Sequence, residues 1–212
     1  ITSGTATMSS GVLQSGRTIG LGSSQGMSIS DAELGLLTCS ALTIGSTLNG
    51  NMVVSEITDA NSTNVGSVTL NAKAASATVT FSTSSSVFHV GITVNANAGI
   101  SASANLTINV APTFVADFDG DGSGTFAVSS GATVSSSNTA MSIKAADIDL
   151  QGAITSGSAS STIAVMTSGR VNGIGVTQAS GMSISDAELG KITSTGLTIG
   201  ESTNGNVSIA NT

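Results

Sequence analysis

The chain has 212 residues, of which 8% are charged and 2% aromatic, and it contains no Trp or Tyr, a composition far from that of an ordinary globular domain. The net charge of −7, with only five Lys and Arg residues, excludes the basic surface that nucleic acids need. Hydrophobic residues make up 39% of the chain, too many for a disordered segment. We therefore expect a folded protein whose thin core consists of small aliphatic side chains.

A long internal repeat organises the sequence. Residues 26–35 recur letter for letter at residues 181–190, an offset of 155. Residues 1–17 match residues 154–170 at an offset of 153. The two-residue difference in offset predicts an insertion in a loop of the second copy.

The repeat predicts one continuous β-solenoid over residues 1–212, with a first copy at 1–153 and a partial second copy at 154–212. It also suggests an excerpt from a longer tandem array. We expect the partners to be further copies of the same repeat, joined covalently or end to end, through strand edges that no cap covers.

Apolar and small polar residues alternate along most of the chain, a pattern typical of β-strands with one buried face. In chain order, the clearest runs are residues 65–70, 79–81, 92–94 and 106–110, separated by Gly, Asn, Asp and Ser clusters. An antiparallel sandwich or barrel and a parallel β-solenoid both fit such short strands. The uninterrupted repeat and the lack of Trp and Tyr favour the solenoid.

The alternation also predicts which side chains form the buried rows. These are Ile29, Leu34, Leu42, Ile44, Val68, Leu70, Ile92, Val94, Leu106, Ile108, Ile143, Ile148, Ile184, Leu197, Ile199 and Ile209. With about 20 residues and about 4.8 Å per coil, equivalent residues of the two copies should lie about 35 to 40 Å apart along the axis.

The segment SDAEL, at residues 30–34 and again at 185–189, interrupts the strand pattern. A Ser followed three residues later by Glu is the capping-box arrangement, which predicts a single helical turn at a corner of the solenoid. An ordinary polar turn is the alternative.

Several blocks resemble repeats of filamentous-haemagglutinin-like proteins, which are very large secreted surface proteins of bacteria and microalgae. The blocks are GRTIGLG (16–22), MSISDAELG (27–35), LTIGSTLNGNMVV (42–54), ADFDGDGSGTF (116–126) and KAADIDLQGAITSG (144–157). The resemblance implies a right-handed parallel β-helix that forms a long extracellular or cell-surface rod used for structure or adhesion. It implies no catalytic residues, because the family shares none.

Asp117, Asp119 and Asp121 occupy positions one, three and five of a calcium-loop pattern, with Gly122 at the position of the sharp turn. Three convergent carboxylates would suit calcium, the only ligand of this kind that the sequence suggests. Position twelve, however, is Val128 in place of the bidentate Glu. An Asp/Gly turn without a metal is therefore the other interpretation.

Two further features bear on catalysis. Asp147 and Asp149 alternate with apolar residues, so both carboxylates should lie on one outward strand face, where a glycosidase pair is conceivable. His89 is the only histidine, and no acid close to it in the sequence supports a triad or a metal site. Both features are more typical of structural residues, so we expect no enzyme activity.

Asn61, Asn105 and Asn206 begin N-glycosylation sequons, which matter only if the protein is eukaryotic and secreted. Asn61 lies in a polar loop and is the strongest candidate, whereas Asn105 is expected in a strand. Cys39 is the only cysteine and corresponds to Ser194 in the second copy. A disulfide framework is therefore excluded, and Cys39 is expected to be a small buried residue.

Three classes of function follow. The first is a structural segment of an extracellular filament or cell-surface stalk. The second is a binding module, either an adhesin for glycans or an ice-binding solenoid. Ice binding would need a flat face with regularly spaced Thr, whereas Thr is irregularly spaced in the sequence. The third is a polysaccharide-cleaving enzyme centred on Asp147 and Asp149. The repeat favours the filament, because catalysis gains little from the length of a rod.

Overall fold

The computed structural model describes residues 1–210, and it consists almost entirely of short β-strands. Asn211 and Thr212, which end the second repeat copy, lie outside the described residues. The strands are β1 (Thr7–Ser10), β2 (Ile19–Leu21), β3 (Met27–Ile29), β4 (Ala41–Ser46), β5 (Met52–Val54), β6 (Val68–Ala72), β7 (Val79–Phe81), β8 (Ser86–Phe88), β9 (Ile92–Ala96), β10 (Gly99–Ala102), β11 (Leu106–Ile108), β12 (Thr113–Val115), β13 (Thr125–Val128), β14 (Thr133–Ser135), β15 (Met141–Ala145), β16 (Asp147–Leu150), β17 (Ala153–Thr155), β18 (Ser160–Val165), β19 (Val171–Ile174), β20 (Gly181–Ile184), β21 (Ile192–Thr193), β22 (Gly196–Ile199) and β23 (Val207–Ile209).

Consecutive strands fall in turn on three sheets that run side by side along one axis. The first sheet has the order β1-β4-β6-β9-β12-β15-β18-β22, the second β3-β2-β5-β7-β10-β13-β16, and the third β8-β11-β14-β17-β21. A three-stranded sheet, β20-β19-β23, continues the second, because β20 lies against β16. All pairings between these strands are parallel, as in the predicted β-solenoid and unlike an antiparallel sandwich.

The coils are longer than the 20 residues expected. In the first sheet Ile44 aligns with Leu70 and Leu70 with Val94, so these coils hold 26 and 24 residues. The coil from Ile163 to Ile199 holds 36. Six strand steps separate β1 from its counterpart β18, which corresponds to about 29 Å along the axis. The expected separation of 35 to 40 Å was too large because fewer, longer coils make up one repeat.

The longest coils contain a strand that runs back against its predecessor. After β2 the chain turns and lays β3 along the edge of β2 that faces away from β5. The second copy repeats this arrangement, with β20 placed between β16 and β19. The second sheet therefore gains one strand per repeat relative to the other sheets.

Two helical turns lead the chain away from these returning strands: α1 (Asp31–Leu34) and α2 (Asp186–Leu189). In α1, the Glu33 amide donates to Ser30 Oγ at 3.2 Å, and the Ser30 amide donates to Glu33 Oε2 at 2.9 Å. The same reciprocal bonds cap α2. The predicted capping box and single helical turn are therefore confirmed in both copies. A 3₁₀ turn spans Ala60–Ser62.

The core is one continuous column of aliphatic side chains with four buried Phe residues, of which Phe114 and Phe126 lie 5.2 Å apart between ring centroids. Polar ladders supplement it, as where the Asn95 amide nitrogen donates to Asn71 Oδ1 at 2.9 Å on the neighbouring strand. Among residues 1–210, no helix has the length and apolar character needed to cross a bilayer.

Most of the predicted buried row is buried, with four exceptions in the terminal coils. Ile29, Leu197 and Ile199 are only partly buried, and Ile209 is 75% exposed, so its predicted burial was wrong. The first-copy counterpart of Ile209 is Val54, which is fully buried beneath β7. The difference arises because the β23 edge carries no further coil in the described structure.

Candidate functional site

The three carboxylates of the predicted calcium loop do converge. Oxygen atoms of Asp117, Asp119 and Asp121 lie within 4.8 Å of one another in the loop between β12 and β13. Asp117 is fully buried, whereas the other two are exposed. Gly120 and Gly122 have φ values of 68° and 87°, so this tight loop needs glycine at both positions.

Most of these carboxylate oxygens already accept hydrogen bonds. The Gly122 amide lies 3.2 Å from both oxygens of Asp117, and Thr167 Oγ1 donates to Asp117 Oδ2 at 3.2 Å. Ser123 donates to Asp121 through its amide at 2.9 Å and its hydroxyl at 2.6 Å. The Ser123 hydroxyl is the main reason that the pKa of Asp121 lies below its ordinary value.

Arg170, which the sequence did not associate with this loop, brings a positive charge against it. A Cβ atom at Gly122 would lie 1.8 Å from Arg170 Nη1, so the guanidinium occupies the space that the missing side chain leaves. Its charge also contributes to the lowered pKa of Asp121. A guanidinium here stabilises the carboxylates without a metal and opposes the binding of a cation. Calcium binding stays a prediction, beside the simpler interpretation of an Asp/Gly turn.

Asp147 and Asp149 point outward from β16, as expected, but their environments differ. Asp147 is half-buried, and its Oδ1 accepts from the Ser183 amide at 2.8 Å and the Ile148 amide at 3.0 Å. Burial raises the pKa of Asp147 above its ordinary value. Asp149 is exposed. The Asp147 carboxylate thus joins two coils, which is a structural task.

The structure gives His89 an acidic neighbour from the preceding coil. His89 Nδ1 lies 3.2 Å from Asp59 Oδ1, which also accepts from the Asn109 side-chain amide at 2.7 Å. Sequence reasoning missed Asp59 because it lies 30 positions away. The His89 and Asp59 side chains are about half exposed, and an exposed ion pair contributes little to stability.

The three sequons differ in geometry. The side-chain amide of Asn61 is half-buried and donates to Asp31 Oδ2 at 2.7 Å, so a glycan there would disrupt that bond. Asn105 and Asn206 are exposed. Asn105 lies immediately before β11 and not inside a strand, contrary to the expectation. Use of any sequon stays a prediction.

Cys39 is buried beside the first sheet, as the sequence predicted. Burial raises the pKa of its thiol. A buried thiol with a raised pKa is a poor nucleophile, which agrees with a packing role.

One feature of the first sheet was missed altogether. Hydroxyl side chains align on its outward face in a single row, one from each of the eight strands, which we name the hydroxyl file. Its members are Ser9, Thr43, Thr69, Thr93, Thr113, Ser142, Thr162 and Thr198. Neighbouring strands place them about 4.8 Å apart. The Thr residues are irregular in sequence only because the coils differ in length.

Comparisons of the chain with protein-family models, curated proteins and solved structures gave no match. The resemblance to filamentous-haemagglutinin-like repeats stays a prediction from sequence, and arguments about function rest on the geometry above.

Proposed function

We propose that this chain is a structural segment of an extracellular filament or cell-surface stalk built from tandem β-solenoid repeats. Its function in this account is mechanical: stacked coils form a stiff rod, and the number of repeats sets the length of that rod.

The continuity of the fold across the junction between the two copies supports the proposal most strongly. Strand β15 of the first copy pairs with β18 of the second over five residue pairs, from Met141 with Ser161 to Ala145 with Val165. Buried Ile143 and Ile163 continue one core through the junction. Because no linker separates the copies, adding a repeat lengthens the rod without introducing a hinge.

The extracellular location can be tested on the source cells. Antibodies raised against the 212-residue chain and detected by immunogold electron microscopy should label filaments or stalks outside the cell. Label confined to the cell interior would contradict the proposal. An adhesin that binds glycans stays the alternative from sequence, and glycan-array binding without filament labelling would favour it.

The hydroxyl file supports a second candidate, an ice-binding face, because it meets the requirement for regularly spaced Thr on a sheet. If the file binds ice, the chain should inhibit ice recrystallisation, and Thr93→Lys should abolish the effect by placing a long charged side chain in the middle of the row. Thr63→Lys, an exposed site outside the file, is the matched control. A lack of inhibition by the unmodified chain would eliminate this candidate.

A further inference from the structure

The two repeat copies let the same residues be compared with and without a neighbouring coil. We name the edge formed by β1, β2, β3 and α1, within residues 1–36, the N-terminal face. In the second copy the equivalent elements are β18, β19, β20 and α2, and the coil of β15, β16 and β17 covers them.

Apolar burial differs sharply between the two situations. Ile1 is 84% exposed, whereas its counterpart Ile154 is 1% exposed. Ile29 is partly buried, whereas its counterpart Ile184 is fully buried. On the N-terminal face, Ile1 and Ile29 line an apolar groove of about 480 Å³ together with Met8. In the second copy, no such exposure remains at the two isoleucine positions.

The covered junction is also joined by side-chain to backbone hydrogen bonds. Asp147 of β16 accepts from the amide of Ser183 in β20 at 2.8 Å. Glu188 of α2 accepts from the amide of Leu150 in β16 at 3.2 Å through Oε1, while its Oε2 serves the capping box. The acidic residues therefore replace strand pairing where the returning strand meets the preceding coil.

The N-terminal face carries the same groups, ready to be used. Glu33 employs only Oε2 in its capping box, and in the described structure its Oε1 has no hydrogen-bond partner. The Met27 amide donates to Thr18 at 3.0 Å, so the next amide, that of Ser28, points to the open edge of β3. Glu33 Oε1 and the Ser28 amide correspond to the two groups that join the covered junction.

Charge follows the same pattern. Arg170 lies against the acidic loop of residues 117–122 in an earlier coil of the chain. Its counterpart Arg17 has no such loop beside it and instead donates to the carbonyl of Gly26. A basic side chain on the N-terminal face therefore matches an acidic loop on the coil that would cover it.

We propose that the N-terminal face is a docking surface for a coil with the sequence of residues 117–153, supplied by a further copy of the repeat directly ahead of Ile1. In this interface, the Asp147 equivalent accepts from Ser28, the Leu150 equivalent donates to Glu33, and the acidic loop receives Arg17. The interface rests on the proposed tandem-repeat rod and specifies how one repeat joins the next.

The chain path supports this connection. The Ile154 amide donates to the Lys191 carbonyl at 3.0 Å, and the Ile1 amino group makes the equivalent bond to the Leu36 carbonyl at 2.9 Å. Ile1 thus already lies where Ile154 lies after Ala153. A preceding copy that ends at Ala153 would join it without rearrangement.

The test is thiol accessibility at Ile1. Cys39 is replaced by Ser, the residue of the second copy, and Ile1→Cys is introduced both in the 212-residue chain and in a tandem chain with residues 1–153 ahead of that position. Alkylation by a maleimide should be at least about tenfold slower in the tandem chain. It should approach the rate of Ile154→Cys in the 212-residue chain, which reports a covered site.

Ala32→Cys is the matched control, because Ala32 and its counterpart Ala187 are both exposed. Its rate should be the same in both chains. If Ile1→Cys reacts as fast in the tandem chain as in the 212-residue chain while Ile154→Cys stays slow, the docking surface is refuted.

The outcomes separate this interface from the proposed function. Slow alkylation of Ile1→Cys together with intracellular immunogold label would contradict only the extracellular filament. Extracellular filaments together with fast alkylation would contradict only the interface.

Discussion

The consequence of a substitution in this fold depends on whether a coil covers each side of the residue. Ile44 is fully buried between coils, whereas its counterpart Ile199 in the last complete coil is only partly buried. We predict that Ile44→Asp lowers the free energy of unfolding by about 4 kcal/mol or more, because it buries an unpaired charge. The same change at Ile199 should cost about 1 kcal/mol.

Chemical denaturation of the two variants measures this difference. Equal losses of stability would show that the two positions are equally covered and would contradict the assigned register.

Asp147 should make stability depend on pH in an unusual direction. Because burial raises its folded pKa, the folded protein holds this proton more tightly than the unfolded chain does. Stability contributed at this site is therefore present at low pH and declines as the pH rises from about 4, the ordinary Asp pKa, through the raised value. Asp147→Asn keeps an acceptor for the Ser183 amide but removes the titration.

Urea unfolding across the acid range should show the difference in stability between Asp147→Asn and the unmodified chain growing with pH and then levelling off. Parallel stability curves for the two proteins would contradict the raised pKa.

The calcium prediction can be decided at the acidic loop. Since Arg170 already neutralises part of its charge, we expect no heat in calorimetric titration with calcium at about millimolar concentration. Heat from the unmodified chain that Asp119→Ala abolishes would instead establish a calcium site. Asp149→Ala, which removes an exposed carboxylate elsewhere, controls for nonspecific binding.

At the residue scale, sequence predicted inward and outward positions well, because alternation fixes the face of each strand. It could not predict that Thr43, Thr69 and Thr93 form one row, since their alignment depends on coils of different length. Nor could it place Arg170 beside Asp121, because that contact depends on how many coils separate them.

Among the elements, the capped turns α1 and α2 are nearly identical internally but differ in their surroundings. Asp31 of α1 accepts from the amide and hydroxyl of Thr58 at 2.8 and 2.9 Å, and from Asn61 at 2.7 Å. Its counterpart Asp186 in α2 is exposed and makes no such side-chain bonds in the described structure.

We therefore predict that Asp31→Ala destabilises the chain by about 1 to 3 kcal/mol through the loss of hydrogen bonds to a charged acceptor. Asp186→Ala should change stability by no more than about 0.5 kcal/mol, although it removes the same acidic residue from the first helical turn. Thermal unfolding of both variants provides the comparison. An equal effect would mean that the helix dipole, and not the contact to Thr58, is the important interaction.

The capping box was predictable from sequence because it is local, with Ser30 and Glu33 only three residues apart. The returning strand β3 was not. Its residues, Met27–Ile29, read as one more short strand, and only the tertiary structure determines that it lies on the outer edge of β2.

For the whole molecule, the repeat predicted a parallel solenoid, and the structure confirms that fold. Its dimension along the axis was mispredicted, because the extra strand and helical turn lengthen the coils around residues 22–40 and 175–195 without adding strands to the first sheet. Association of the isolated chain through its ends stays a prediction, and the exposed Ile1 and Ile209 are consistent with it.

The central claim is that repeats add length to one unbroken rod. Chains that carry one, two and three further copies of residues 1–153 ahead of Ile1 should appear in electron micrographs as rods of constant width. Their length should grow by about 29 Å per copy, six strand steps each. Beads joined at variable angles, or a length that does not increase with copy number, would contradict the account.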